Sequence, residues 1–250
     1  MWSGLVLVAC SPFCNCTLYR ERRADLQGLV EKGKTKNMNH NILGEGTRYY
    51  PEYWGSEAQN AFLETLQEGL QQAPFFVPRM PRTNQPWSIR MSNLGPLGWV
   101  SDKSGYRYQP THPETGAPWP QIPQMLIDLW RDVSGCPADP ECCLVNYYDK
   151  PKAKMGLHQD RDEQAFEAPV VSLSLGDSAV FRMGGPKRRG PTQSMKLHNG
   201  DVFVFGGAAR LHYHGLARIL YGSSQALAAY PAFTEGGRLN LTLRRVSPIA

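Results

Sequence analysis

His158 and Asp160 lie two residues apart, and a second imidazole further along the chain would complete a set of side chains able to hold a transition metal. In an extended strand alternate side chains face the same way, so an imidazole at 158 and a carboxylate at 160 aim at one point. Two histidines and one carboxylate make a facial set that leaves coordination positions open on one side and suits non-haem Fe(II) oxygen chemistry. His198, His212 and His214 compete for the remaining place. His212 and His214 would face the same way on a strand, and spacing does not choose between them. His198 precedes Asn199-Gly200-Asp201, a turn signature, and as an ordinary turn residue it would face water. A His-x-Asp tripeptide alone is weak, because lone histidines are more often core or surface residues than ligands.

The stretch Arg238-Leu-Asn-Leu-Thr-Leu-Arg244 is the most informative strand of the chain. Arg238, Asn240, Thr242 and Arg244 share one face and Leu239, Leu241 and Leu243 the other. On an ordinary half-buried sheet the polar side would meet solvent. In an iron oxygenase it would instead meet a co-substrate with two carboxylates, which guanidinium forks bind bidentately. About 20 Å of strand separates the two arginines, a gap that long side chains span by leaning toward a ligand between them.

Short runs, alternating or apolar, set off by Gly, Pro and Asp, fill the C-terminal half. They predict strands at residues 144–148, 155–160, 170–175, 179–183, 202–205, 211–215 and 238–246. Seven or eight such strands without intervening helices read as a sandwich or jelly roll, a mainly β fold with helices packed outside. Upstream, Ser56-Glu-Ala-Gln59 reads as a capping box for a helix over 57–72, with Ala58, Phe62, Leu66 and Leu70 on one face. Pro123 opens a second helix bearing Leu126, Leu129, Trp130 and Val133, with Gly135 as its terminator. Prolines 74, 78, 81 and 86 break residues 75–93 into strand and turn pieces. Residues 222–229 read as a loop.

With 250 residues, 41% hydrophobic and 20% charged, the chain has the size and composition of one soluble globular domain, with or without a tail. Of the net charge of +5, residues 1–37 carry +3, so bulk charge says little about partners. Lys187-Arg188-Arg189 is the better candidate for a phosphate contact, against a solvated loop as the plain alternative. The six cysteines show no even-spaced framework, and adjacent Cys142 and Cys143 behave as small hydrophobes on opposite faces of a strand, which favours a reducing compartment. Leu7-Val-Ala-Cys10 fits a lipoprotein processing pattern, yet no Lys or Arg precedes it and the apolar run is short. Residues 1–37 are therefore expected to be an extension or a mis-assigned start, disordered, with translation beginning at Met38.

Several of these stretches together resemble the AlkB family of Fe(II) and 2-oxoglutarate-dependent dioxygenases, in its bacterial DNA-repair branch. They are Asn146-Tyr-Tyr148, His158-Gln-Asp160 with Asp162-Glu163, Gly200-Asp201 through Gly206-Gly207, Tyr213-His214-Gly215 and the strand 238–244. Met91-Ser-Asn93, Leu97-Gly-Trp99 and Gly105-Tyr106 extend the likeness, which runs from about residue 45 to 246. The resemblance implies a double-stranded β-helix (jelly roll) core at about 140–248 and an N-terminal nucleotide-recognition lid at about 45–125, within one domain over 38–250. It implies His158, Asp160 and His214 as iron ligands, with His212 only a neighbour. It implies Asn146, Tyr148, Arg238, Asn240 and Arg244 around 2-oxoglutarate, and Trp99, Tyr106, Asp162 and Arg188 around the substrate. Trp99 would stack on or beside a flipped base, Tyr106 and Arg188 would hold phosphate or base edge, and Asp162 would face the base; the plain alternative for Trp99 is a core residue. Two departures stand out: the 149–154 linker is a residue longer than the family's usual spacing, and Phe205 stands where tryptophan is frequent.

With Fe(II), 2-oxoglutarate and O2, the implied reaction is oxidative demethylation of bases such as 1-methyladenine and 3-methylcytosine, releasing formaldehyde, succinate and CO2. The partner would be single-stranded or flipped-base DNA, or RNA, since a methyl on the pairing edge is hidden in a duplex. An aromatic platform and a few phosphate contacts suffice for sequence-tolerant binding. A cytoplasmic monomer without membrane attachment is expected. The competing expectations are the same iron chemistry on RNA, a protein or a small metabolite, a sandwich-fold binding module with incidental histidines, or a lipid-anchored protein processed at Cys10.

Overall fold

The computed structural model describes residues 39–249, so the expectations for residues 1–37 and for a start at Met38 lie outside the described residues. In chain order the strands and helices are β1 (Asn39–His40), β2 (Thr47–Tyr50), α1 (Ser56–Gln72), β3 (Arg90–Leu94), β4 (Gly98–Asp102), β5 (Gly105–Gln109), α2 (Gln124–Val133), β6 (Cys142–Tyr148), β7 (Met155–His158), β8 (Val170–Gly176), β9 (Ala179–Met183), β10 (Gln193–Leu197), β11 (Val202–Phe205), β12 (His214–Ile219) and β13 (Arg238–Arg244). Seven strands form a large antiparallel sheet in the order β1-β2-β11-β8-β13-β6-β3, and four form a smaller one, β10-β9-β12-β7. The hairpin β4–β5 stands apart from both. No helix among the described residues is long and apolar enough to cross a membrane.

Period-two alternation on β13 divides the molecule. Leu239, Leu241 and Leu243 are fully buried against a core that also takes Phe62, Leu63 and Leu66 of α1 and Leu126, Leu129 and Trp130 of α2. Deleting one such leucine side chain from a closed core costs about 2–5 kcal/mol. The even-numbered side chains of β13 face the space between the two sheets, which is a cavity of about 640 Å³. The helices thus cover one face of the large sheet and leave the other for chemistry. The mainly β jelly-roll expectation, with helices outside, describes this arrangement.

Local details differ from the sequence expectations for identifiable reasons. Ser56 makes no capping hydrogen bond and Gly55 is the N-cap; Gln59 is buried, donates to Trp54 O (2.6 Å) and accepts from Asn199 Nδ2 (2.6 Å). Tertiary contacts therefore recruit the residue that a capping box would have used. Residues 211–215 do not form the expected strand: a 3-10 turn at Gly207–Ala209, with Gly207 at φ +51°, delays pairing until His214, and β12 continues to Ile219. Likewise β7 ends at His158, so Asp160 lies beyond the strand rather than on it. Strand β10, Gln-Ser-Met-Lys-Leu, is an edge strand with only two apolar residues, Met195 and Leu197, in alternation, a run too short to stand out, and it is missing from the expected strands.

Candidate iron and co-substrate site

Strands β7 and β12 pair with His158 opposite His214, and Gly215 permits that approach. A Cβ on Gly215 would lie 2.7 Å from Met155 O and 2.8 Å from Gly156 O, so a larger residue would force the two histidine strands apart. Each imidazole donates from Nδ1 to a backbone carbonyl two residues earlier, His158 to Gly156 (2.9 Å) and His214 to His212 (3.0 Å). That fixes the tautomer and leaves both Nε2 lone pairs directed into the site. Asp160 Oδ1 lies 3.5 Å from His158 Nε2 and 3.8 Å from His214 Nε2. One ligand atom from each of the three residues falls within 4.8 Å of the others, the only such group found among the described residues.

Asp160 and His214 are in the protonation states a metal requires. Burial would raise Asp160, but Arg244, His214 and His158 outweigh it and hold the carboxyl below the usual carboxylate range. Burial, with His158 alongside, pushes His214 down to about 4, leaving it neutral near pH 7. Two imidazoles and a carboxylate fit a divalent first-row metal with open positions on one side. His212 precedes β12 with its Nδ1 buried and unpartnered, and His198 is exposed beside Ser178 Oγ (3.0 Å); neither belongs to the group.

The adjoining wall is built by register. Arg238 pairs across the sheet with Tyr148, and Asn240 with Asn146, so these four residues share one patch of the cavity lining. Arg238 is completely buried; Nη1 donates to Asp177 O (2.9 Å) and Leu197 O (3.3 Å), Nη2 donates to Ser174 Oγ (2.6 Å), and Nε has no partner. Burial pulls its pKa down to about 10, yet it stays charged at neutral pH and no carboxylate among the described residues pairs with it. The Oδ1 of buried Asn146 is also unpartnered. A lone buried cation is costly unless an anion joins it, so this end of the cavity suits a carboxylate. The polar face of β13 therefore lines the cavity, with Arg238, Thr242 and Arg244 buried and Asn240 partly so. Arg244 sits at the metal end, where its Nε (3.1 Å) and Nη2 (2.8 Å) both donate to Asp160 Oδ2. Asn240 is similarly engaged, donating to Ser172 Oγ (2.7 Å) and accepting from Thr242 (3.1 Å).

At the cavity mouth, Trp99 stacks on Tyr106, with centroids 5.5 Å apart and planes at 17°, and its Nε1 donates to Asp162 Oδ2 (2.8 Å). Tyr106, Asp162 and Arg188 are exposed, and all line the opening. Trp87 meets Trp99 edge-on at 5.8 Å and extends the aromatic rim. Phe205 backs His214 at 4.6 Å between centroids. Sequence reasoning gave no role to Tyr108, Glu163 and Arg210. Arg210 donates from Nε to Ala168 O (3.0 Å), from Nη1 to Asp160 O (2.7 Å) and from Nη2 to Glu163 Oε2 (3.1 Å). For Tyr108 a signal existed, since alternation puts it on the same side of β5 as Tyr106; for Arg210, in a turn, there was none.

The profile of the 2OG-Fe(II) oxygenase superfamily matches residues 46–244. An alpha-ketoglutarate-dependent dioxygenase AlkB homolog of Caulobacter vibrioides is 48% identical over 200 residues, covering 80% of this chain and 87% of that protein. The alpha-ketoglutarate-dependent dioxygenase AlkB of Escherichia coli is 42% identical over 162 residues, covering 63% of this chain and 71% of the relative. Among solved structures, that of OsALKBH1 superposes with a TM-score of 0.66 at 29% identity, covering 84% of this chain and all of the other.

Proposed function

Since the chain belongs to the 2OG-Fe(II) oxygenase superfamily and, within it, to the AlkB dioxygenases, we propose that it removes methyl groups from ring nitrogens of nucleobases in DNA, with 1-methyladenine and 3-methylcytosine as its type of substrate. The enzyme uses Fe(II), 2-oxoglutarate and O2. Bound together, these supply the oxidant that hydroxylates an N-methyl carbon while 2-oxoglutarate leaves as succinate and CO2. The resulting N-hydroxymethyl group then loses formaldehyde and restores the pairing edge.

His158, Asp160 and His214 would hold the iron. Arg238 would take the far carboxylate of 2-oxoglutarate, with Tyr148, Asn146 and Asn240 shaping the wall beside it, and Arg244 would act at the near end by fixing Asp160. Trp99 and Tyr106 would receive the base, Asp162 would anchor Trp99 and face the base edge, and Arg188 would meet the phosphate backbone. A base reaches this mouth only from a single strand or after flipping, which costs least for a lesion that pairs poorly. We assign about 45–125 to recognition and about 140–248 to catalysis, and read the protein as a cytoplasmic monomer.

The observation that carries the proposal is the convergence of His158, Asp160 and His214 beside a buried arginine that has no carboxylate partner. Methylated single-stranded and duplex DNA and RNA oligonucleotides, incubated with the enzyme and its cofactors, test it by mass. Loss of one methylene unit dependent on 2-oxoglutarate is expected, with single-stranded DNA the best substrate. Succinate formation without any change in oligonucleotide mass would move the activity to a protein or metabolite substrate.

A further inference from the structure

Trp99 and Tyr108 are direct cross-strand partners in the β4–β5 hairpin, so their side chains leave it on the same face. Both reach the segment just after the carboxylate ligand: Trp99 bonds Asp162 (2.8 Å), and the Tyr108 hydroxyl donates to Glu163 Oε1. Asn93 fastens the Trp99 backbone to β3, accepting from its N–H (3.0 Å) and donating to its carbonyl (3.1 Å). The hairpin pairs with neither sheet; these two side-chain bonds, together with the packing of Trp99 and Tyr108 on a buried cluster that includes Leu144 and Tyr148 of β6, tie its recognition face to the metal side of the cavity.

From Glu163 the connection continues to the ligand. Glu163 is 4% exposed; Arg244 Nε lies 3.4 Å from its Oε1, and Arg244 clamps Asp160 Oδ2 through two nitrogens. Arg210 closes the ring from the other side, on Glu163 Oε2 and on the backbone oxygen of Asp160. Two guanidiniums therefore balance two carboxylates, all four residues buried. Such a neutral, fully bonded cluster holds one arrangement, and loss of a member leaves a buried charge or acceptor unsatisfied.

Building on the oxygenase reading above, we propose that Tyr108 and Glu163 are positioning residues that join the seating of the hairpin on a nucleotide to the orientation of Asp160. An oxygenase of this type wastes 2-oxoglutarate if it fires without a base in place. A direct line from the hairpin through Tyr108, Glu163 and Arg244 to a ligand carboxylate makes full alignment of Asp160 conditional on the hairpin being seated. Neither residue touches the reacting atoms; both act through Arg244.

Tyr108→Phe removes the hydroxyl and keeps the ring, and Glu163→Gln keeps the shape and removes the charge. Tyr53→Phe is the control, since it deletes an equivalent hydroxyl-to-carboxylate bond, to Asp132 (2.6 Å), between residues that do not line the cavity. Two quantities are read on the full chain: 2-oxoglutarate consumed per methyl removed, and the change that a methylated oligonucleotide causes in the visible band of the anaerobic Fe(II)–2-oxoglutarate complex. Wild type and Tyr53→Phe are expected to stay coupled and to show the band change. Tyr108→Phe and Glu163→Gln are expected to consume about tenfold more 2-oxoglutarate per methyl, the scale of one lost hydrogen bond to a charged group, and to lose the band change. Equal behaviour of all four proteins overturns the proposal, as does a slower rate with an unchanged ratio and an unchanged band response. Failure of the oxygenase reading itself looks different, with wild type giving neither band nor product, and the positioning role falls with it.

Discussion

Asp160 carries two obligations. It offers one oxygen toward His158 and His214, and it gives the other to Arg244. Substituting it removes a metal donor and leaves the buried Arg244 guanidinium with Glu163 alone, at 3.4 Å. Outer-shell partners of metal sites already cost about 10–100-fold when lost, so His158→Ala and Asp160→Ala are each expected to lower succinate formation by more than about 100-fold. A variant within tenfold of the parent would contradict the ligand assignment. Arg238 differs from Arg244 in lacking a carboxylate partner, which makes it the better anchor for a second carboxylate. Arg238→Ala should raise the 2-oxoglutarate concentration needed for half-maximal rate by about tenfold or more, the worth of a charge-assisted contact. An unchanged requirement would place that carboxylate elsewhere.

The β4–β5 hairpin and strands β6 and β13 set what each side chain can reach. Trp99→Ala is expected to reduce demethylation of a methylated oligonucleotide more than it reduces 2-oxoglutarate consumption without substrate, and equal losses would assign Trp99 to packing alone. On β6, Cys142 and Cys143 face opposite cores and are fully buried, and burial pushes the Cys142 thiol up to about 12. Alkylation of the folded protein at pH 8, mapped by peptide mass, should therefore spare Cys142 while half-buried Cys136 reacts. Rapid labelling of Cys142 would mean that β6 opens readily. Strand β13 was legible because polar and leucine residues alternate without interruption, and its polar side turned out to line the cavity. Strand β12 was not, because an apolar-looking run at 211–213 is held in a turn by backbone bonds such as His212 N–H to Ala209 O (2.9 Å). Alternation predicts that His158 and Asp160 converge on one strand face; they converge instead through the irregular segment after β7, which Arg210 and Arg244 hold in place.

Across the whole molecule, the two sheets and the separate hairpin divide the work: helices close one face, the inner faces hold the cavity, and the hairpin supplies an aromatic mouth. The polar face of β13 was readable from strand spacing, whereas His214, Asn146, Tyr148 and the rim residues Trp99, Tyr106, Asp162 and Arg188 were singled out only by the family resemblance. The cluster that aligns them was not readable, since Arg210 and Glu163 are 47 residues apart and a pair made by tertiary folding leaves no periodicity. In the proposed enzyme His158, Asp160 and His214 hold one ferrous ion next to 2-oxoglutarate. Anaerobic titration of Fe(II) into the protein with 2-oxoglutarate, followed by visible absorption, addresses it most directly. One equivalent of iron producing a weak charge-transfer band, absent in Asp160→Ala, is the predicted result; a wild-type protein that develops no band, or an Asp160→Ala variant that develops the same one, would contradict it.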